Sequence, residues 1–253
     1  MAMTAQAQAP APLGAEYGDP YLTWKDWDAA GFAQLRKTDA IYFDAELART
    51  GAALPPGSQV LEVGFGNGGF LRYGRQRNWA MQGTEVNPAL VETARRHGFD
   101  AIHTDTLQVF ADASFDLVAA FDVLEHIPSE HLLGFLAEIR RVLKPGGVCI
   151  SRFPNGDSPF GLLNQNADVT HVNVMGSGKC RYFIAKLGLE PVRVGGEAEP
   201  LLGGSLLGIL HRLVALPIKK ALNLFVNQVF FPRMGGVSFL SANLVMVFRR
   251  PAS

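Results

Sequence analysis

The sequence predicts an α/β fold in which helices cover both faces of a doubly wound, mostly parallel sheet. Between residues 59 and 153, short apolar runs alternate with segments of helical character. The first run ends in a glycine-rich turn directly before a helix, which is a typical strand-to-helix connection in such sheets. Strands that are buried on both faces read as near-continuous apolar runs, and residues 115–121 form one of these runs.

Turn and capping residues indicate the boundaries of the elements. Asn87 is expected to cap a helix whose first residue is Pro88, and Gly98 to end it. Ser129 is expected to cap a second helix, and Gly188 to end a third. The expected strands are residues 59–63, 79–86, 99–103, 115–121, 148–153, 189–194 and 244–248.

The length of 253 residues, 48% of them hydrophobic, favours a single domain with a sizeable core. Residues 1–20 are rich in Ala, Pro and Gln and are interpreted as a disordered tail, which leaves residues 21–253 as the domain. Residues 17–50 are expected to be mostly helical and residues 154–173 to form a long polar loop. Residues 200–235 are expected to form an apolar, basic helical insertion before the last strand.

The composition excludes several classes of protein. Charged residues make up 18% of the chain, which excludes a disordered protein. The two cysteines, Cys149 and Cys180, are too few for a disulfide framework or a multi-thiolate zinc site. No Lys or Arg precedes Lys25, so a secretory signal is not expected, and no apolar run has the length of a membrane-spanning helix. The cytoplasm is therefore the expected compartment.

The formal net charge of zero hides an asymmetry along the chain. Residues 200–253 contain six Lys and Arg and no Asp or Glu. Because the protein as a whole has no basic excess, no nucleic acid is expected as a partner, and the cations predict only a local basic surface.

A glycine-rich turn follows the first strand, in the sequence Val-Gly-Phe-Gly-Asn-Gly-Gly at residues 63–69. Gly64 and Gly66 with Gly69 fit the spacing of dinucleotide sites, and with Gly68 they fit a G-x-G-x-G spacing. Glu85 ends the second strand about 20 residues later, where a carboxylate can accept both ribose hydroxyls. These residues alone leave an NAD-dependent oxidoreductase open.

Further sequence motifs indicate which cofactor the glycine-rich turn binds. Residues 62–68, 83–86, 115–118, 122–127 and 143–147 resemble, in order and spacing, the class I S-adenosylmethionine-dependent methyltransferases. The resemblance covers roughly residues 55–195. It implies a Rossmann-like, seven-stranded sheet whose last strand is antiparallel and lies beside residues 189–194. An oxidoreductase would need more chain for a catalytic domain and would not explain residues 122–127.

The same resemblance implies that S-adenosylmethionine is the cofactor and assigns its site. The glycines would hold the methionine part, Glu85 the ribose, and Phe121 the methionine ammonium through its backbone carbonyl. The turn departs from the usual family pattern at Phe65 and Asn67, which points to different packing. The implied cofactor residues are Glu62, Gly64, Gly66, Gly68, Glu85, Val86, Asp105, Thr106 and Phe121.

Four candidate catalytic residues cluster after the fourth strand and in the polar loop: Asp122, Glu125, His126 and His171. Their pattern resembles the divalent-cation site of small-RNA ribose methyltransferases, and its first part resembles ubiquinone-pathway O-methyltransferases. The resemblance implies Mg²⁺ or Mn²⁺ at Glu125, His126 and His171. Two alternatives stay open, namely a histidine acting as a base or acceptor-positioning group, and a structural hydrogen-bond cluster.

Weaker signals concern the acceptor. Residues 153–160, 168–171 and 235–244 resemble bacterial methyltransferases from surface-polysaccharide gene clusters. The resemblance implies methylation of a sugar hydroxyl on a glycan or a lipid-linked glycan, and the polar side chains of Asn155, Asp157, Asn164, Gln165 and Asn166 would suit a polyol. A quinone precursor or another small hydroxylated metabolite is one alternative, and a non-catalytic S-adenosylmethionine-binding or assembly protein is another.

The insertion at residues 206–231 has an amphipathic pattern. Arg212, Ala215, Lys219, Asn223 and Asn227 fall on one helical face, and mostly apolar residues fall on the other. A proline at position 217 is expected to kink or divide the helix. Three interpretations stay open: peripheral association with the inner face of the membrane, packing as a dimer or lid helix, and a plain core helix.

Overall fold

The computed structural model describes residues 17–202, 205–234 and 236–252. Within these ranges the chain forms one sheet with helices around it. In chain order the elements are α1 (Asp19–Trp24), α2 (Lys37–Ala48), β1 (Gln59–Val63), α3 (Gly69–Gln76), β2 (Ala80–Glu85), α4 (Pro88–Arg96), β3 (Asp100–His103), β4 (Phe115–Phe121), α5 (Ser129–Val142), β5 (Leu143–Pro154), α6 (Gly161–Ala167), α7 (Ser177–Lys186), β6 (Glu190–Gly196), α8 (Leu206–Phe230) and β7 (Asn243–Arg249).

The sheet has the predicted architecture. Its seven strands are ordered β3-β2-β1-β4-β5-β7-β6. The first five pair in parallel, whereas β7 pairs antiparallel with both β5 and β6 and lies between them. The strand order reverses at β1, which is flanked by β2 on one side and β4 on the other. Ligands bind at such switch points, beyond the carboxyl ends of the strands.

Both faces of the sheet are covered, as a doubly wound fold requires. One face packs against α5 and α7, through residues such as Leu136 and Ile184. The opposite face packs against α2 and α3, through Phe43 and Phe70. Burial of these two apolar layers is the main driving force for the fold.

The helix starts follow from local hydrogen bonding. Asn87 caps α4 as predicted, since its side chain accepts from the backbone N–H groups of Ala89 and Leu90. The expected cap at Ser129 is wrong. Pro128 is the N-cap residue of α5, and the Ser129 hydroxyl instead donates to the Asn173 side-chain oxygen. The Ser129 side chain thus connects α5 to the polar segment that follows β5.

Three segment-level expectations need correction. The expected loop over residues 154–173 contains α6, and the helical stretch over residues 17–50 consists of α1 and α2 separated by turns. Of the expected tail, residues 1–16 lie outside the described part of the chain. Residues 17–20 belong to the folded structure, because Asp19 and Pro20 begin α1.

The insertion forms a single long helix, α8. The proline at position 217 does not divide it, and Ser205 caps its first turn by accepting from the Gly208 N–H. No residue of α8 is buried, so the interpretation as a plain core helix is wrong. None of the described helices is both long enough and apolar enough to cross a membrane.

Candidate functional site

A large cavity opens at the carboxyl ends of β1, β2 and β4, where the strand order reverses. Its volume is about 1250 Å³. Sites for one drug-sized ligand usually measure roughly 300–1,000 Å³. The cavity therefore has room for a cofactor and an acceptor side by side.

The glycine turn forms one wall and leaves no space for side chains. Gly64 and Gly66 have φ angles of +62° and +50°, which favour glycine. A Cβ atom on Gly64 would lie 2.8 Å from Val123, and one on Gly66 would lie 2.6 Å from the ring of Trp27. Both glycines line the cavity, whereas Gly68 lies beneath Phe32 and does not. The backbone of this turn is accordingly open to a ligand.

Glu85, at the end of β2, forms hydrogen bonds with the backbone of the glycine turn and of the residues that follow β2. One carboxylate oxygen accepts from the Gly66 N–H at 3.0 Å, and the other accepts from the N–H groups of Val86 and Asn87. Burial raises the pKa of Glu85, and these three N–H donors oppose the increase. A carboxylate has about four acceptor positions, so capacity remains for a ligand hydroxyl.

Glu62 is buried at the cavity wall with an unsatisfied oxygen. Its Oε2 atom has no hydrogen-bond partner among the described residues. Burial raises the pKa of Glu62 well above its ordinary value, partly offset by the backbone N–H of Leu71. A buried carboxyl oxygen without a partner is costly unless a ligand group satisfies it, so this atom suits an ammonium or hydroxyl group of a bound molecule.

The remaining predicted cofactor residues also line this cavity. Val86 follows β2, Asp105 and Thr106 follow β3, and Phe121 ends β4. The Asp105 side chain is exposed, whereas the ring of Phe121 packs against Phe43. The structure thus brings these residues together with Glu62 and Glu85, and their roles in binding stay predictions.

The N-terminal segment covers the cavity, which the sequence did not predict. Tyr21, Lys25 and Trp27 line it from above. The hydroxyl of Tyr21 donates to Asp168, and the ammonium of Lys25 lies 3.0 Å from the same carboxylate. Although burial opposes it, hydrogen bonds from Thr170 and Lys25 hold the pKa of Asp168 well below its usual range. The aromatic residues around position 24 were the only sequence signal for this cover.

His126 is the predicted catalytic residue best placed for chemistry. It lines the cavity from the short 3₁₀ turn Leu124–His126, and its Nδ1 atom lies 3.0 Å from the Thr170 hydroxyl. Burial, followed by the neighbouring imidazole of His171, lowers the pKa of His126 to about 4. The ring is therefore neutral at pH 7. Its Nε2 atom has no hydrogen-bond partner in the described part of the chain.

Glu125 and His171 lie behind His126 and do not line the cavity. Neither oxygen of the buried Glu125 side chain has a hydrogen-bond partner among the described residues, and burial raises its pKa well above the ordinary value. His171 lies 3.9 Å from Glu125, and one ligand atom from each of Glu125, His126 and His171 lies within 4.8 Å of the others. One oxygen and two imidazole nitrogens form a donor set that suits Mg²⁺ poorly and Mn²⁺ better.

Asp122 is less available than the sequence suggested. It lies on the cavity wall with a φ angle of +57°, and its carboxylate forms an ion pair with Arg152. Burial alone would lower the pKa of Arg152, but the carboxylate of Asp122 outweighs it and the pKa is raised. Arg152 also lies 5.3 Å from the ring of Tyr42. Arg152 was not predicted as a site residue because it lies within an apolar strand.

The polar loop does not supply the expected polyol-binding groups. The amide of Asn155 donates to the backbone carbonyls of Ser238 and Ser241, and Asp157 accepts from the Ser177 N–H. The side-chain amide of Asn164 donates a hydrogen bond to the side-chain oxygen of Asn243, the first residue of β7. None of Asn155, Asp157, Asn164, Gln165 and Asn166 lines the cavity. The polar side chains of Asn155, Asp157 and Asn164 anchor the loop.

Comparison with known proteins gives a consistent result. Residues 61–151 match the family model described as a methyltransferase domain. Over 154 residues the chain is 33% identical to the ubiquinone biosynthesis O-methyltransferase of Hahella chejuensis, covering 57% of this chain and 59% of that protein. Over 143 residues it is 31% identical to the 2-methyl-6-phytyl-1,4-hydroquinone methyltransferase of Synechocystis sp., covering 53% of this chain and 41% of that protein. The chain thus spans less than two thirds of either relative.

The fold has counterparts among solved structures. The crystal structure of a SAM dependent methyltransferase from Archaeoglobus fulgidus superposes with a TM-score of 0.65 and 18% sequence identity. The superposition covers 91% of this chain and all of the other one, 100%. The similarity therefore extends beyond residues 61–151 to most of the fold.

A doubly wound sheet with a glycine turn after β1 and a buried carboxylate at the end of β2 defines an α/β domain that binds a nucleoside-containing cofactor. Within that class, the antiparallel β7 and the family match identify the domain further. Residues 61–151 match a methyltransferase domain, and the fold around them is shared with a solved S-adenosylmethionine-dependent methyltransferase. The backbone of Gly64 and Gly66 on the cavity wall and the unsatisfied oxygen of Glu62 both suit S-adenosylmethionine.

Proposed function

We propose that the chain catalyses transfer of the methyl group of S-adenosylmethionine to a hydroxyl oxygen. This proposal rests on the position of His126. Its neutral imidazole lies on the wall of the same cavity as Glu62, Glu85 and Phe121. Its Nε2 atom is free to accept a proton from an acceptor hydroxyl. Deprotonation is what an alcohol or phenol requires before it can be methylated at oxygen.

The protein has two tasks in this reaction. S-adenosylmethionine supplies an already activated methyl group, so the chain must chiefly align the acceptor oxygen with it. Good alignment contributes roughly 7–11 kcal/mol. Tyr21 and Trp27 line the cavity as an aromatic cover, and a base at His126 adds about 10²–10⁴-fold.

A divalent cation is the alternative role of this cluster, in which His126 is a ligand and does not act as the base. Glu125, His126 and His171 would hold it, since one ligand atom of each lies within 4.8 Å of the others and both Glu125 oxygens lack a hydrogen-bond partner among the described residues. Bound there, Mn²⁺ or Mg²⁺ would supply a positive charge that lowers the pKa of the acceptor hydroxyl. Without the cation, His171 orients the His126 ring, whose centroid lies 4.7 Å from its own.

The proposed acceptor is a sugar hydroxyl of a glycan or lipid-linked glycan. The support is the resemblance of residues 153–160, 168–171 and 235–244 to polysaccharide-cluster methyltransferases. The proposed location is the cytoplasm, at the inner face of the membrane where a lipid-linked acceptor is exposed. Since the loop amides anchor the loop, recognition of the sugar falls to cavity residues such as His131 and Arg152.

A quinone precursor is the second candidate acceptor. The two relatives described above act in ubiquinone and hydroquinone methylation, according to their names. The cavity is also rich in aromatic side chains, among them Tyr17, Tyr42 and Phe135. Aromatic walls favour a planar phenolic ring over a sugar.

Transfer of labelled methyl from S-adenosylmethionine into a lysate of the source organism tests the proposal. We expect one labelled product that releases methylated sugar on acid hydrolysis. If the labelled product is instead an aromatic quinol, the acceptor is the quinone precursor and not a sugar. Tight cofactor binding without any labelled product, in wild type and in the His126→Ala variant alike, would favour a non-catalytic binding or assembly protein.

A further inference from the structure

The helix α8 turns an apolar surface away from the protein. Leu207, Val214 and Phe225 are 79%, 64% and 59% exposed. These residues share one side of the helix with further exposed apolar side chains, and the whole set is called the outer face of α8. It includes Leu207, Leu210, Leu213, Val214, Ile218 and Phe225.

Three polar residues of α8 contact the protein instead. Arg212 donates to the backbone carbonyl of Leu201, and Lys219 forms an ion pair with Glu199. The side chain of Asn227 exchanges two hydrogen bonds with the backbone of Val237. Surface helices of soluble proteins normally bury the apolar side and expose the polar one. The arrangement here is reversed, which indicates that the outer face is built for an apolar environment.

Unpaired cations accompany this surface. Lys220 and Arg233 are exposed and form no ion pair among the described residues, in contrast to Lys219. Glu199 is the last acidic residue of the chain, so nothing downstream of it can neutralise them. An apolar face flanked by unpaired cations complements an anionic lipid surface, whose apolar interior lies beneath negative head groups.

We propose that the outer face of α8 docks the protein on an anionic membrane, with the helix lying in the plane of the interface. A helix of 25 residues is about 37 Å long, which gives the contact a substantial extent. Apolar burial and the attraction of the cations act together, and neither alone would hold the protein firmly. Binding is therefore reversible and sensitive to salt.

A second copy of the chain fits this surface less well. In a symmetric dimer the same patch packs against itself, so each side chain near the axis approaches its own copy. Residue 220 lies near the middle of α8, so an antiparallel pairing would bring two Lys220 side chains together. Since α8 contains no acidic residue, the partner helix cannot neutralise them.

The docked helix would also place a route to the site at the membrane surface. A smaller cavity of about 340 Å³ lies between α2 and α8, lined by residues such as Thr38 and Arg212. Tyr42 borders both this cavity and the large one. A lipid-linked acceptor could reach the cofactor from this side. This last step rests on the proposed function, whereas docking itself does not.

Sedimentation of the full-length protein with lipid vesicles tests the docking. We expect wild type to bind vesicles that contain phosphatidylglycerol at low salt, and to be released at high salt or from pure phosphatidylcholine. Lys220→Glu combined with Arg233→Glu should weaken binding by about twenty-fivefold or more, since each cation contributes roughly fivefold near such a surface. Lys219 is left unchanged because its charge is already paired with Glu199.

The matched control is Arg140→Glu combined with Lys186→Glu, which alters the charge equally. These exposed side chains lie on α5 and α7, whose helices pack on the sheet face opposite to α2. The control should bind vesicles like wild type. Failure of wild type to bind anionic vesicles at low salt, or equal loss in the control, would overturn the proposal.

A third variant separates docking from self-association. Leu207→Ser with Phe225→Ser should abolish vesicle binding and leave the molecular mass in solution and the melting temperature unchanged. If wild type is instead a dimer that this variant dissociates, the outer face is a self-interface and the proposal is wrong. Vesicle binding needs no cofactor or acceptor, so its outcome is independent of whether methyl transfer is detected.

Discussion

The hydroxyl of Tyr21 donates a hydrogen bond of 3.2 Å to the carboxylate of Asp168, although 147 positions separate the two residues. Tyr21 belongs to the cover over the cavity, and Asp168 begins the loop that carries Thr170 and His171. The same carboxylate accepts from the N–H and hydroxyl of Thr170, whose hydroxyl contacts His126. Closure of the cover is thereby connected to the orientation of His126.

Tyr21→Phe should loosen the cover while keeping its aromatic packing. The variant loses a hydrogen bond to a charged group, which we expect to cost about 1.5 kcal/mol, because the ring is only half-buried. We predict a lower melting temperature and faster dissociation of S-adenosylhomocysteine, measured by stopped flow. Tyr182→Phe is the matched control, since Tyr182 is exposed on α7. Equal effects in both variants would contradict a role for the Asp168 contact.

Gly66→Arg should abolish cofactor binding. The new side chain would collide with the ring of Trp27 from a backbone of φ +50°, at a point where the turn lines the cavity. Gly178→Arg provides the control, because a Cβ atom there meets no neighbour. Calorimetry should show binding of S-adenosylhomocysteine to wild type and to the control only. Tight binding of NAD to wild type, with no binding of S-adenosylhomocysteine, would overturn the cofactor assignment.

His126→Ala should reduce kcat by about 10²–10⁴-fold, the usual contribution of a positioned base. Cofactor affinity should change little, because His126 is not among the residues assigned to the cofactor. His171→Ala should cost less, since His171 contacts the His126 ring and not the cavity. Turnover and S-adenosylhomocysteine affinity measured on both variants check this order. Wild-type turnover in His126→Ala would remove the proposed base.

The sheet was predictable because each strand is defined by its neighbours in sequence. Residues 115–121 are an apolar run closed by turn residues, and β4 spans those same positions. Asn87 and Pro88 mark a helix start by local chemistry alone. These signals do not depend on which distant segment packs against them.

The remainder of the site depends on distant contacts that have no local pattern. The ion pair of Asp122 with Arg152 joins two strand ends, and it takes from Asp122 the free carboxylate that the sequence suggested. The amphipathic pattern of α8 was predicted, but a pattern does not state which face turns inward. Only the contacts of Arg212 and Asn227 reveal that the polar side does.

Removal of divalent cations distinguishes the two roles left open for Glu125 and His171. If a cation binds there, exhaustive chelation should abolish turnover, and Mn²⁺ should restore it more effectively than Mg²⁺, because two of the three ligands are imidazoles. Titration of the chelated protein with Mn²⁺, followed by electron paramagnetic resonance, measures binding independently of activity. Full turnover after chelation would leave His171 only its orienting role.

Glu62→Gln should stabilise the cofactor-free protein in a pH-dependent way. Burial raises the pKa of Glu62 in the folded state above its unfolded value of about 4.3. Between these two pKa values the folded state binds more protons than the unfolded state, so this group makes the free energy of unfolding fall as the pH rises. Glutamine has nearly the same shape and does not titrate, so the variant escapes this loss.

The variant should therefore melt at a higher temperature than wild type at pH 8, and the difference should shrink towards pH 4. Glu92→Gln, an exposed change on α4, should show no such trend. The same substitution should weaken S-adenosylhomocysteine binding, because the oxygen without a partner at Glu62 is one that we assign to the ligand. A stability advantage with unchanged cofactor affinity would mean that the buried carboxyl has no part in binding. Equal melting temperatures at pH 8 would mean that its charge costs the folded state nothing.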